Sequence, residues 1–204
     1  MTPATSTLRR RGLRLEYLTI AWNVIEGVVA ITAGIAAGSI ALVGFGFDSS
    51  IEVFAATVVV WHLRAEERGE IDDQREQRAL RLIAVTFFVL AAYVTVEAVR
   101  DLAIRAEPET SLVGIVMACL SLLVMPTLAL TKRRVGRELP SPTLVADSTE
   151  TFLCSWLSAV LLGGLLLNAT VGWDWADPLA GLGIAALAAR EGLEAWRGDD
   201  HDHD

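Results

Sequence analysis

The sequence predicts an all-α, polytopic membrane protein of six transmembrane helices. Three observations carry this. The chain of 204 residues is 53% hydrophobic with a mean hydropathy of +0.46. Its apolar runs approach the ~20 helical residues needed to cross a ~30 Å hydrocarbon layer. Its basic residues are gathered into particular connections rather than spread along the chain. The length suits one compact membrane domain, and the formal net charge of −8 offers nucleic acid nothing to bind.

Residues 1–14 are polar and basic and read as a flexible cytoplasmic tail; residues 15–197 hold the six-helix membrane domain, and 198–204 form a short acidic and His-containing tail. The six spans fall near 17–37, 40–62, 80–100, 111–131, 143–168 and 175–195. The basic run at Arg9, Arg10, Arg11 and Arg14 could open a signal peptide, but the apolar run behind it is long and carries Asn23 and Glu26, so it reads as a retained first span. A very short turn at Gly38-Ser39 makes the first two spans antiparallel neighbours, with Gly34 and Gly38 as a small-residue packing face. The stretch from Arg64 to Arg81 mixes Arg with acids and reads as a solvated helical extension. Pro126 lies inside the fourth span, where it removes a backbone hydrogen bond and predicts a kink. Pro140 and Pro142 break the chain ahead of the fifth, and Trp173 and Trp175 suit a membrane interface between the fifth and sixth. Cys119 and Cys154 lie mid-run in different spans and read as free thiols.

Orientation follows from the positive-inside rule. Of the 17 Lys and Arg, all but Arg100 and Arg105 lie on the side of the two tails, the second-to-third linker and the fourth-to-fifth linker, which places the N and C termini in the cytoplasm. The linker 132–137 is strongly basic, and Lys132 is assigned to it.

The chemistry lies in acids set among apolar residues. Asp48 and Glu52 stand four residues apart in the second span, on one helical face. Asp147, Glu150 and Cys154 repeat the pattern in the fifth, with offsets of three and seven. Glu26 and Glu97 are also within spans, and no Lys or Arg sits in the interior of a predicted span to neutralise these groups. A charged acid at mid-bilayer costs about 2.5 kcal/mol or more, so several together imply a cavity and a task. The helical rise of ~1.5 Å per residue puts Asp48 roughly 11 Å and Glu52 roughly 17 Å from one face, and Glu150 and Cys154 at the same depths from the other. Glu52 then meets the level of Glu150, and Asp48 that of Cys154, so one ion can be shared near the midplane.

Three carboxylates and a thiolate suit Zn²⁺ first, with Mn²⁺, Fe²⁺, Co²⁺ and Cd²⁺ as other acceptable divalent ions. All four groups must lose protons to ligate, so metal and protons compete for them, which is the basis of an antiporter. Asp147 is either a fifth ligand or a partner that orients one. Cys154 in an apolar helix is either a ligand or a small packing residue. Glu26 and Glu97 are candidate proton relays or packed helix contacts. Asp177 before Pro178 reads as a cap on its own helix. The terminal His201 and His203 either capture metal weakly or lie in a solvated tail. No nucleophile and base are paired as an enzyme would need; His62, the one His outside the tail, sits at a helix end.

The runs Ser39-Ile40-Ala41-Leu42-Val43 leading to Asp48 and Glu52, Ala146-Asp147-Ser148 leading to Glu150 and Cys154, and Trp175-Ala176-Asp177-Pro178-Leu179 resemble the membrane domain of the cation diffusion facilitator superfamily, and within it the transmembrane protein 163-like zinc transporter branch. The resemblance covers nearly the whole chain. It implies six helices, a homodimer, and proton-coupled efflux of Zn²⁺ or a similar divalent cation across the plasma (inner) membrane. Where the family carries His then Asp in the fifth helix, this chain has Glu150 and Cys154, and the family's cytoplasmic C-terminal domain has no counterpart here. A metal-binding sensor or scaffold that moves no ion is the alternative. The second and fifth spans occupy corresponding places in two halves, which hints at an inverted three-plus-three arrangement.

Overall fold

The computed structural model describes residues 3–68, 73–104, 109, 111–139 and 141–197. Six helices follow one another: α1 (Pro3–Ala37), α2 (Ile40–Arg68), α3 (Asp73–Ile104), α4 (Leu112–Glu138), α5 (Pro142–Val171) and α6 (Ala176–Arg197). Each covers its expected span to within one residue and runs beyond it at one end or both. Part of the expected tail at 1–14 is helical instead, because α1 begins at Pro3 and buries Arg9 and Leu15. The tail 198–204, with its candidate metal-capturing His201 and His203, lies outside the described residues.

Among the described residues, four helices, α1, α2, α4 and α5, are long and apolar enough to cross a membrane. In α6, Asp177, Arg190, Glu191 and Glu194 interrupt the apolar run, whereas the run 82–99 of α3 carries a single acid, Glu97.

α2 is the centre of the bundle, packing against α1, α3, α5 and α6. Its apolar stretch is 67% buried against 33% for those of α1 and α4, so α2 faces protein where they also face outward. Ala41, Leu42 and Phe45 pack with Met125 of α4, Leu161 and Leu165 of α5 and Ile184 of α6. Further along, Ile51 and Ala55 meet Phe87, Leu90 and Val94 of α3 and Ala188 of α6. The exposed Val28, Ile35, Val89, Leu123 and Leu130 form the outward apolar faces expected against lipid.

The α1–α2 turn shows why small residues are needed there. Gly38 has φ +65°, the left-handed region that favours glycine, and Ser39 N donates to Gly34 O at 3.0 Å. At Gly34 a Cβ would lie 2.8 Å from both Cγ2 and the backbone N of Val43, so α1 and α2 touch through bare backbone. Of the two glycines expected to make a packing face, Gly34 does so and Gly38 makes the turn.

Pro126 does not end α4, which runs unbroken from Leu112 to Glu138. Trp173 and Trp175 stack at 4.9 Å beside the α5–α6 turn, both exposed. Cys119 is exposed and Cys154 buried, and both are free thiols as expected.

Candidate metal centre

Each helix that builds the centre carries an inward polar stripe at helical spacing. On α1 it is Glu16, Thr19, Asn23 and Glu26, all buried; on α5 it is Asp147, Thr151, Cys154 and Ser158, all buried; α2 adds Asp48, Ser49 and Glu52. Spacings of three and four residues hold such side chains on one face. The bundle therefore encloses a polar seam within an apolar exterior.

Near one end of that seam, Lys132 is fully buried. Its Nζ donates to Glu16 Oε2 at 3.0 Å, Asp147 Oδ2 at 2.5 Å and Thr151 Oγ1 at 3.2 Å. Three points of the sequence reading change here. Lys132 belongs to α4, not to a linker; a base does neutralise buried acids; and Asp147 is ion-paired to that base through Oδ2. Packing explains it: Ser121, Met125, Ala129, Lys132 and Gly136 form one buried stripe, so α4 carries its inward face past the membrane-length run. The stripe was visible in the sequence once α4 was allowed to extend.

Midway along the seam lies a small cavity lined by Asp48, Ile51, Glu52 and Ala55 of α2, Phe87 of α3, Glu150, Cys154 and Leu157 of α5, and Glu191 of α6. The four residues expected to share an ion, Asp48, Glu52, Glu150 and Cys154, thus meet in one place. Its volume is about 30 Å³, against the ~10–15 Å³ that one water requires. Among the described residues no three His, Cys, Asp or Glu are already gathered as a closed ligand cluster. The carboxylates share the cavity without clasping one another.

Glu52 is the least satisfied group in it. The residue is 7% exposed, and neither carboxylate oxygen has a hydrogen-bond partner. Lys132 lies within its electrostatic reach but is bonded to Glu16 and Asp147. A buried carboxylate with both oxygens unpartnered is costly unless a cation or proton meets it.

Glu26 adjoins the cavity without lining it. It accepts from Trp22 Nε1 and from Ser49 Oγ, the latter at 3.1 Å, so α1 and α2 share it. Glu97, the other relay candidate, is elsewhere: partly exposed on α3, it accepts from Arg100 Nη1 at 2.9 Å and does not line the cavity. Asp177 also departs from expectation, because it caps α2 rather than its own helix. Its carboxylate accepts from Ser39 Oγ and, at 3.4 Å, from Ala41 N, while Ser39 Oγ accepts from Leu42 N. A negative charge there also complements the N-terminal end of the α2 dipole. Glu16, Lys132 and Glu191 are the site residues that the sequence reading missed.

The family model of the cation efflux transmembrane domain matches residues 17–197. Transmembrane protein 163 of Xenopus laevis is 26% identical over 163 residues, which cover 80% of this chain and 56% of that protein. An uncharacterised transporter of Synechocystis sp. is 27% identical over 164 residues, covering 78% and 51%. Magnetosome protein MamB of Magnetospira sp. is 23% identical over 185 residues, covering 87% and 61%. The chain thus spans between half and about three fifths of these relatives. With a family match over nearly the full chain and an all-helical, multi-pass architecture, the chain belongs to the cation efflux transmembrane domain family, the cation diffusion facilitators.

Proposed function

We propose that this domain exports divalent transition-metal cations, Zn²⁺ foremost, in exchange for protons, through a site that α2 and α5 build from Asp48, Glu52, Glu150 and Cys154. Glu52 carries the proposal: a buried carboxylate with both oxygens free, in a cavity it shares with two further acids and a thiol. Oxygen donors alone would suit Mg²⁺ or Mn²⁺ equally; the Cys154 sulfur turns the preference toward Zn²⁺ and Cd²⁺. Ligation requires deprotonated groups, so protons entering from one side displace the ion and the ion displaces protons from the other. Glu26, bonded to Ser49 one residue beyond Asp48, is placed to pass protons to the site. The basic connections assign both termini to the cytoplasm, and the family resemblance implies a homodimer in the plasma (inner) membrane.

The test is flux into proteoliposomes that contain a zinc-sensitive dye. The parent protein should take up Zn²⁺ faster when the lumen is acidic, and Asp48→Ala or Glu52→Ala should abolish uptake. Binding that persists in the parent without any flux would contradict transport and leave a sensor or scaffold.

A further inference from the structure

Glu191 extends the site to a third helix. It lines the same cavity as Asp48, Glu52, Glu150 and Cys154, and its Oε1 is buried with no hydrogen-bond partner. Arg190, the adjacent cation, is turned to the exposed side of α6, where its Nε donates to Glu194 Oε1 at 2.8 Å. The other basic side chain near the cavity, Lys132, is held by Glu16 and Asp147. Glu191 lines the cavity with Asp48 and Glu150 in its electrostatic reach, while Glu194 and Arg190 act on it from its own helix.

Height agrees with this. Asp177 is bonded to Ser39, so α2 and α6 leave that point at one level. Thirteen residues on along α2 is Glu52 and fourteen along α6 is Glu191. At ~1.5 Å per residue the rises are about 20 Å and about 21 Å. A fourth carboxylate thus arrives at the level of Glu52 from a separate wall. Phe87 of α3 closes the neighbouring edge, and a Cβ on Gly192 would meet Phe87 Cβ at 3.1 Å, so α6 is seated firmly against α3.

We infer that Glu191 is a ligand for the divalent cation, so that the ion is held by α2, α5 and α6 together rather than by α2 and α5 alone. This rests on the proposed metal site.

The experiment is calorimetric titration of the purified full chain in nanodiscs with Zn²⁺, comparing parent, Glu191→Gln, Glu191→Asp, Glu194→Gln and Glu52→Gln. Metal-free melting temperatures confirm that each variant is folded. Glu191→Gln should weaken binding by at least about 10-fold, the lower end of the loss seen when even an outer partner of a metal ligand is removed. Glu191→Asp should recover part of that loss, and Glu194→Gln should match the parent. Glu191→Gln binding within about twofold of the parent while Glu52→Gln loses binding overturns the role of Glu191 and leaves the α2–α5 site standing. Unchanged binding in both variants overturns the site itself.

Discussion

Lys132→Met removes the buried ammonium while keeping a side chain of similar length. In the parent, Nζ is 3.0 Å from Glu16 Oε2, 2.5 Å from Asp147 Oδ2 and 3.2 Å from Thr151 Oγ1. Glu16 Oε1 and Asp147 Oδ1 already lack partners, so without Lys132 both carboxylates lose their counter-charge. Deleting one partner of a buried pair costs about 3–5 kcal/mol, whereas replacing the whole ionic group by neutral side chains is often neutral or stabilising. Lys132→Met should therefore lose ~3–5 kcal/mol. The triple variant Lys132→Met, Glu16→Gln, Asp147→Asn should return to within ~2 kcal/mol of the parent, the residue being imperfect amide hydrogen bonding. Reversible unfolding in mixed micelles, followed by fluorescence of the six tryptophans, measures both. A single variant that loses under ~1 kcal/mol, the scale of an exposed pair, refutes the reasoning, as does a triple variant no better than the single. Zn²⁺ titration of the triple variant adds a second reading: retained affinity makes Asp147 structural, and lost affinity in folded protein returns it to the metal.

Gly34→Ala should cost about 1–3 kcal/mol as overpacking, since the new Cβ would stand 2.8 Å from the Val43 backbone N; thermal unfolding measures it, and an unchanged midpoint contradicts the α1–α2 backbone contact. Asp177→Ala should cost ~1.5–3 kcal/mol, the worth of hydrogen bonds to a charged group, and speed hydrogen exchange at the Ala41 and Leu42 amides; unaltered exchange there would show that Asp177 does not cap α2. Glu97→Gln should leave Zn²⁺ flux within about twofold and stability within ~1 kcal/mol, because its partner Arg100 is exposed; a large fall in flux would restore Glu97 to a proton path.

The fold was legible because membrane spans are written in long apolar runs. The Asp48–Glu52 and Glu150–Cys154 pairs were legible because acids in such runs are costly and stand out. What failed was the treatment of span ends. Lys132 was grouped with Arg133, Arg134 and Arg137 as a basic linker, although it continues the buried stripe of Ser121, Met125 and Ala129. Glu16 lay ahead of the first apolar run, yet it opens the stripe completed by Thr19, Asn23 and Glu26. Glu191 stands beside Arg190 and Glu194 near the end of the sixth span, where their exposed i,i+4 pair draws notice away from the neighbouring acid that lines the cavity. Asp177 was assigned to its own helix because sequence order alone does not reveal that α6 begins beside α2.

The most direct test of the account is an anomalous-difference map from crystals soaked in Zn²⁺. The account predicts one strong peak inside the α2–α5 cavity, about 2.0–2.2 Å from carboxylate oxygens of Asp48 and Glu52 and about 2.3 Å from Cys154 Sγ. A peak confined to the protein surface, or one seated at Asp147 and Glu16 with Lys132 displaced, would contradict it.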